Sequence, residues 1–244
     1  MPTELLYLKD SYQYEFSATI TQVDASSKAV ILDKTAFYPT GGGQPHDRGF
    51  LTVDGMDYLV LEVKKRGGDV LHCLEYLPSS EVIEGKTCLG KVDAELRMKY
   101  SRTHTALHIL CGVIYHEFGS TVTGGQIKAL EGRMDFDIDA FRKDRVSAIE
   151  EKCNEAIERE LPIKIAFLER EEADKDPDLI RTKVSLIPPS VRVIRTVDIE
   201  GLDKQADGGT HVRNTKEVGR IRITKISNRG KGRKRLYITV EDPE

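Results

Sequence analysis

Two histidine-bearing segments about a hundred residues apart, His104-Thr-Ala-Leu-His108 and Asp207-Gly-Gly-Thr-His211, supply four side chains able to ligate a metal ion. Positions i and i+4 of a helix lie on one face about 5–6 Å apart, so a helical His104 and His108 point at a single ion. A helical pair completed by a second pair from a Gly-rich loop is one way to assemble a tetrahedral Zn²⁺ site from distant parts of a chain. Each segment also has a plainer reading: half-buried core histidines in the first, a hairpin turn with an incidental histidine in the second.

The elements that must position these groups are visible in the flanking residues. Over residues 101–118 the apolar side chains Leu107, Leu110, Cys111 and Ile114 recur at spacings of three and four, with Ser101 as N-cap and Gly119 as stop signal. On that helix His104 and His108 fall at the rim of the apolar stripe, lining a cleft edge. The second segment sits between the β-branched run 191–199 and the strand-like run 218–226, as a turn-rich connection whose two glycines let Asp207 and His211 converge.

H-x-x-x-H followed about a hundred residues later by x-G-G-T-H-V resembles the editing domain of alanyl-tRNA synthetase and its freestanding AlaX relatives. Arg102-Thr-His-Thr-Ala-Leu-His-Ile-Leu110, Arg133-Met-Asp-Phe136, Val191-Arg-Val-Ile194, Gly208-Gly-Thr-His-Val212 and Val218-Gly-Arg-Ile221 stand in that family's order and approximate spacing, over roughly residues 92–240. The upstream stretch Ala36-Phe-Tyr-Pro-Thr-Gly-Gly-Gly-Gln-Pro-His-Asp-Arg-Gly49 is similar to the segment preceding this domain in the synthetase and in the medium-length class, AlaX-M. The resemblance implies one zinc ion per chain, held by His104, His108, Asp207 and His211.

Two positions depart from the family pattern. Most relatives carry cysteine where this chain has Asp207; a carboxylate has the charge of a thiolate and binds zinc at about 2.0–2.2 Å against about 2.3 Å for sulfur. Such a site is harder and less selective for a soft ion, and Asp207 is also able to act from behind a ligand instead of on the metal. Leu107 stands where many synthetase domains have threonine, which leaves Thr105 or Gln126 as replacements for a serine-sensing hydroxyl. Thr210, beside the last histidine, is a further substrate-binding candidate.

The chain has 244 residues, 39% hydrophobic and 32% charged, enough for one large or two modest cores. No run approaches the roughly 20 apolar residues of a membrane span, and Met-Pro-Thr-Glu-Leu-Leu is no signal-peptide pattern, so a cytoplasmic location is expected. Cys73, Cys88, Cys111 and Cys153 are scattered and read as reduced, buried side chains. Short β-branched runs at 16–23, 29–32, 50–53, 58–63 and 70–74, separated by turn residues, predict a small closed β-barrel. After residue 93 the pattern changes to helices followed by strands: the histidine helix, then a helix over 139–160 with Phe141, Ile149, Cys153, Ala156 and Ile157 on one face. The expected class is α+β, with an N-terminal β-barrel domain carrying the Gly-rich motif (1–91) and an α+β domain of antiparallel sheet and helices (92–244), the latter being, by resemblance, the zinc-binding editing domain.

Gly42, Gly43 and Gln44 offer N–H groups and an amide to a substrate, or form a tight barrel turn; the resemblance favours substrate binding. Gln126 lies in Thr-Gly-Gly-Gln-Ile, which reads equally as a turn whose glutamine faces solvent. His46 is a loop histidine with no evident partner, and His72 and His116 read as incidental. Although the net charge is -3, residues 213–235 hold ten Lys or Arg and one acid, Glu217. Arg229, Lys231, Arg233, Lys234 and Arg235 at the tip are candidates for contacting RNA phosphates. The resemblance thus implies a deacylase that hydrolyses serine or glycine mischarged on tRNA(Ala). The alternatives are a non-catalytic zinc-stabilised tRNA-binding module and a metal hydrolase of small esters; the lack of H-E-x-x-H argues against a metalloprotease.

Overall fold

The computed structural model describes residues 2–138, 145–176, 179, 191–230 and 232–243. The chain divides into two compact units, Met1–Met98 and Lys99–Glu244. The class is α+β, with mainly antiparallel sheets.

In the first unit, β1 (Glu4–Leu5) pairs in parallel with β4 (Lys34–Thr35). A six-stranded closed barrel forms from β2 (Glu15–Asp24), β3 (Ala29–Leu32), β5 (Gly49–Val53), β6 (Met56–Arg66), β7 (Asp69–Leu74) and β8 (Thr87–Val92), in the order β2-β3-β7-β6-β5-β8. Five of these strands match the β-branched runs; β8 was not expected. A short helix, α1 (Ser80–Ile83), precedes β8. Alternate residues such as Phe16, Ala18, Ile20, Leu51, Val53 and Val60 fill the interior, and closure leaves no open sheet edge.

The glycine motif hangs from this barrel as a tight turn. Gly41 and Gln44 exchange both backbone hydrogen bonds, at 3.1 and 2.9 Å, across Gly42 and Gly43 at φ +56° and +85°. Two consecutive positive φ values are the geometry of a type I′ turn, which explains paired glycines there. Behind the turn, Arg97 donates to Asp47 at 2.9 Å, to the Ser11 carbonyl at 2.9 Å and to the Ala36 carbonyl at 2.6 Å, with its side chain fully buried. Asp47 also accepts from the Tyr38 N–H at 2.5 Å. Removing one partner of such a pair costs about 3–5 kcal/mol, because the other charge stays buried.

The long helix α2 (Ala94–Phe118) starts seven residues earlier than expected. Asp93 accepts from the Leu96 N–H at 2.9 Å as the cap, so Ser101 is a mid-helix residue. In the second unit its buried face meets a sheet ordered β14-β15-β10-β9, built from β9 (Val122–Lys128), β10 (Glu131–Asp137), β14 (Ile221–Asn228) and β15 (Arg233–Val240). Gly132 of β10 lies against Thr103 and Leu107 of α2, and Met134, Phe136, Leu236 and Ile238 are buried. The expected turn at Thr123-Gly-Gly-Gln-Ile127 is instead strand β9, because pairing with β10 supplies its backbone hydrogen bonds.

A second sheet, β11-β12-β13, comprises β11 (Ile163–Glu169), β12 (Val193–Ile199) and β13 (Asp203–Ala206). Helix α3 (Val146–Glu158) buries Ile149, Cys153, Ala156 and Ile157, the face read from the sequence; Asp139 and Phe141 lie outside the described residues. Helix α4 (Arg170–Ala173) is a single turn. The four cysteines are free, and burial pushes the thiols of Cys88 and Cys153 up to about 11 and about 12. Among the described residues no helix is long and apolar enough to cross a membrane.

Candidate metal centre

Helix α2 supplies the first pair of histidines one turn apart, with ring centroids separated by 5.1 Å. The loop after β13 brings His211 to 4.3 Å from His104 and 4.7 Å from His108, ring to ring. Asp207 closes the group: its Oδ1 lies 3.5 Å from His104 Nε2 and 4.0 Å from His108 Nε2, and its Oδ2 lies 3.1 Å from His211 Nε2. One candidate ligand atom from each of the four residues lies within 4.8 Å of every other. Ligands around a tetrahedral ion at about 2.0–2.2 Å are about 3.3 Å apart, so this donor set fits zinc after small side-chain movements.

The loop is held in place from three sides. Asp207 and Arg195 exchange backbone contacts, the Asp207 N–H to the Arg195 carbonyl at 3.1 Å and the Arg195 guanidinium to the Asp207 carbonyl at 2.7 Å. The Gly209 N–H donates to Asp207 Oδ2 at 2.5 Å. From α2, Ser101 donates to the Thr210 hydroxyl at 2.9 Å, and the Thr105 hydroxyl accepts from the Val212 N–H at 3.3 Å while lying 3.1 Å from His211 Nδ1. When Nδ1–H donates to Thr105, the Nε2 lone pair of His211 faces Asp207.

Burial and mutual repulsion set the charge of the group. Desolvation lowers His104 to about 4, and desolvation followed by the His104 charge holds His211 well below the usual imidazole range. Burial also works against charging His108, but Asp203 and Asp207 outweigh it and raise its pKa. Burial works to raise Asp207, yet His104 and His211 hold its carboxyl well below the usual carboxylate range. Lone pairs on His104 and His211 beside an ionised carboxylate suit a divalent cation, whereas His108, its pKa raised, must give up a proton to join them, so binding there releases protons.

The remaining expected site residues are distributed differently. Thr105 and Thr210 are fully buried around the His211 loop. Gln126 is exposed on β9, accepts from Arg133 at 2.9 Å, and is not among the side chains at the cluster. In the first unit Gly42 and Gly43 are exposed at the turn tip, whereas Gln44 is 1% exposed. Arg229 and Arg233 are exposed at the β14–β15 connection, and Lys234 donates to Asn228 at 2.6 Å. Arg235 is engaged by Asp135 through two contacts at 2.5 and 2.7 Å. Lys231 lies outside the described residues.

Asp203 escaped the sequence reading. Its buried carboxylate lies 3.4 Å from Nδ1 of His108, a contact made by the β12–β13 hairpin that no local pattern announces. The available signal was an acid four residues before Asp207 at the start of a strand.

Three histidines and Asp207, gathered from a helix and a loop, form a group able to hold a metal ion, and segments of the chain are similar to parts of tRNA synthetases. Residues 194–237 match the family described as threonyl and alanyl tRNA synthetase second additional domain, and residues 6–96 match tRNA synthetases class II (A). The chain is 42% identical over 241 residues to alanyl-tRNA editing protein AlaX-M of Saccharolobus solfataricus, covering 98% of this chain and 99% of the relative. It is 36% identical to the protein of the same name from Methanosarcina barkeri, covering 98% and 100%. It is also 34% identical to alanine–tRNA ligase of Pyrobaculum neutrophilum, covering 97% of this chain and 27% of the ligase. The chain belongs to the AlaX-M family of alanyl-tRNA editing proteins.

Proposed function

We propose that the protein is a trans-editing deacylase that hydrolyses the ester joining serine or glycine to tRNA(Ala), with zinc held by His104, His108, Asp207 and His211. Its full-length kinship with proteins named alanyl-tRNA editing proteins supports the editing reaction. The observation that carries the zinc reading is the convergence of three buried imidazoles and one carboxylate, with one candidate ligand atom from each within 4.8 Å of every other. His104, His108, Asp207 and His211 would hold the ion, which would supply Lewis acidity toward a carbonyl or a water.

The chain's own residues do the rest. Thr105 and the Ser101–Thr210 pair hold the His211 loop on α2, and Arg195 holds the backbone of Asp207. Asp207, with 18% of its side chain exposed against 1–7% for the histidines, is the most open of the four, which supports entry of the aminoacyl ester from its side. The exposed Arg229 and Arg233 carry phosphates of the tRNA, while the Gly41–Gln44 turn is a candidate for contacting the substrate. A site that hydrogen-bonds a serine hydroxyl rejects alanine, which lacks it, by about 10⁴–10⁵, whereas accepting glycine while sparing alanine needs a steric wall instead.

The test is ester loss from seryl-, glycyl- and alanyl-tRNA(Ala) with zinc-loaded protein, alongside His108→Ala and Asp207→Ala. Loss of the seryl or glycyl ester with alanyl spared, abolished in His108→Ala, is the expected result. A second reading has its own observation: four donors close a tetrahedral shell, as in structural zinc sites. No hydrolysis above background, with tRNA binding retained, would favour that non-catalytic, zinc-stabilised tRNA-binding module.

A further inference from the structure

Nδ1 of His108 is a buried ring nitrogen without a hydrogen-bond partner, and it faces Asp203 Oδ2 at 3.4 Å. The Asp203 side chain is completely buried. Gln205 donates to the same oxygen at 2.5 Å and approaches Cys111 Sγ at 3.3 Å, fixing the carboxylate against α2. A buried carboxylate aimed at the far nitrogen of a metal-ligating imidazole selects the tautomer and orientation of the ring.

The helix surface shows how the carboxylate comes to lie there. His104, His108, Gly112 and His116 follow one another at spacings of four along α2, so they share a face. At Gly112 a Cβ would stand 2.9 Å from the Leu202 carbonyl oxygen and 3.0 Å from Asp203 Cβ. Only a residue without a side chain admits the β12–β13 hairpin this close. One turn further, His116 Nε2–H donates to the Leu202 carbonyl at 2.8 Å. The hairpin that presents Asp203 is therefore seated by glycine and fastened by histidine on the stripe that carries two of the proposed ligands.

We propose that Asp203 is a positioning residue for the metal centre: it holds the Nδ1–H of His108, so that the ring offers the lone pair of Nε2 to the ion, and Gly112 and His116 seat it there. This inference rests on the reading of the cluster as a metal site. The test measures zinc affinity by chelator competition, and the visible spectrum of the Co²⁺ form, for the full chain, Asp203→Asn and Gly112→Ala. Circular dichroism and melting of the metal-free proteins report the fold. Both variants are expected to bind zinc about 10–100-fold more weakly and to shift the Co²⁺ bands while keeping the native circular dichroism. Zinc affinity within about twofold of the parent in the folded variants, with only a lowered melting temperature, assigns Asp203 to packing and overturns the proposal. Should Asp203→Asn not fold, Gly112→Ala decides, since it keeps every ligand and Asp203 itself. A parent chain with no affinity for zinc overturns the metal reading and this inference together, whereas unaltered affinity in the variants of a zinc-binding parent overturns this inference alone.

Discussion

At the scale of single residues, the departure with the most chemistry is Asp207. A thiolate is soft and polarisable; a carboxylate oxygen is hard and, when it is the most exposed member of the cluster, is partly hydrated before it meets a metal. Asp207→Cys is expected to raise the preference for Cd²⁺ over Zn²⁺ on the order of tenfold, read by competitive titration of the two ions. An unchanged ratio would place residue 207 outside the coordination shell. Not all of the residue-scale picture was legible. The four ligand candidates could be named because their spacing is local within each segment. Thr105, a candidate for sensing serine, is fully buried and lies 3.1 Å from His211 Nδ1, a contact no local pattern announces. Asp203 offered only a weak signal, an acid four residues before Asp207 at the start of a strand.

At the scale of elements, the barrel contains a buried histidine of its own, His72, whose role is structural. His72 Nδ1 lies 3.2 Å from the Val30 carbonyl and Nε2 lies 2.8 Å from the Thr35 hydroxyl. The Phe37 N–H donates to that same hydroxyl at 3.1 Å. The pattern suits a neutral ring that donates from Nδ1 and accepts at Nε2, and burial lowers its pKa to about 4. Between about 6.5 and about 4 the unfolded chain binds a proton that the folded barrel does not. The stabilisation is therefore fully present above pH 6.5 and is lost as pH falls toward 4, by roughly 3 kcal/mol. Denaturant unfolding of the parent and of His72→Leu across this range should show the slope attributable to one proton disappearing in the variant; parallel curves would refute it. The same unit shows why β8 was missed. In Thr87-Cys-Leu-Gly-Lys-Val92 the exposed position holds Leu89 and the inward one Gly90, where a Cβ would stand 2.3 Å from the Phe16 ring. An inward glycine and an outward leucine invert the alternation that marks a strand. The early start of α2 was missed for a different reason: residues 94–100 lie upstream of the apolar stripe, and only the Asp93 cap announces them.

For the molecule as a whole, a net charge of -3 gives no general attraction to RNA, so the tRNA affinity proposed above is expected to draw on the local concentration of cations in residues 213–235. The structure separates those cations. Arg229 and Arg233 are exposed, whereas Arg235 is paired with Asp135 and holds that carboxyl below its ordinary range. Replacing Arg229 and Arg233 with Gln is expected to reduce the slope of log affinity against log salt by about 0.7–0.9 each, measured by tRNA binding at several salt concentrations. Arg235→Gln should leave the slope almost unchanged and weaken the β10–β15 pairing instead. Equal slopes for all three variants would remove this connection from the RNA surface.

The amino-acid sequence by itself determined what depends on neighbours along the chain: the helical repeat around His104 and His108, five of the six barrel strands, the paired glycines of a turn, and a motif order that identifies the family. These are local because backbone propensity and side-chain periodicity act over a few residues. Only the tertiary structure decided which carboxylate stands behind His108, that Thr105 serves His211, that Gln44 is buried, and which arginines are exposed. Each of those depends on pairs brought together by strand register and by helix-on-hairpin packing across tens of residues, where a single glycine such as Gly112 sets how closely two elements meet.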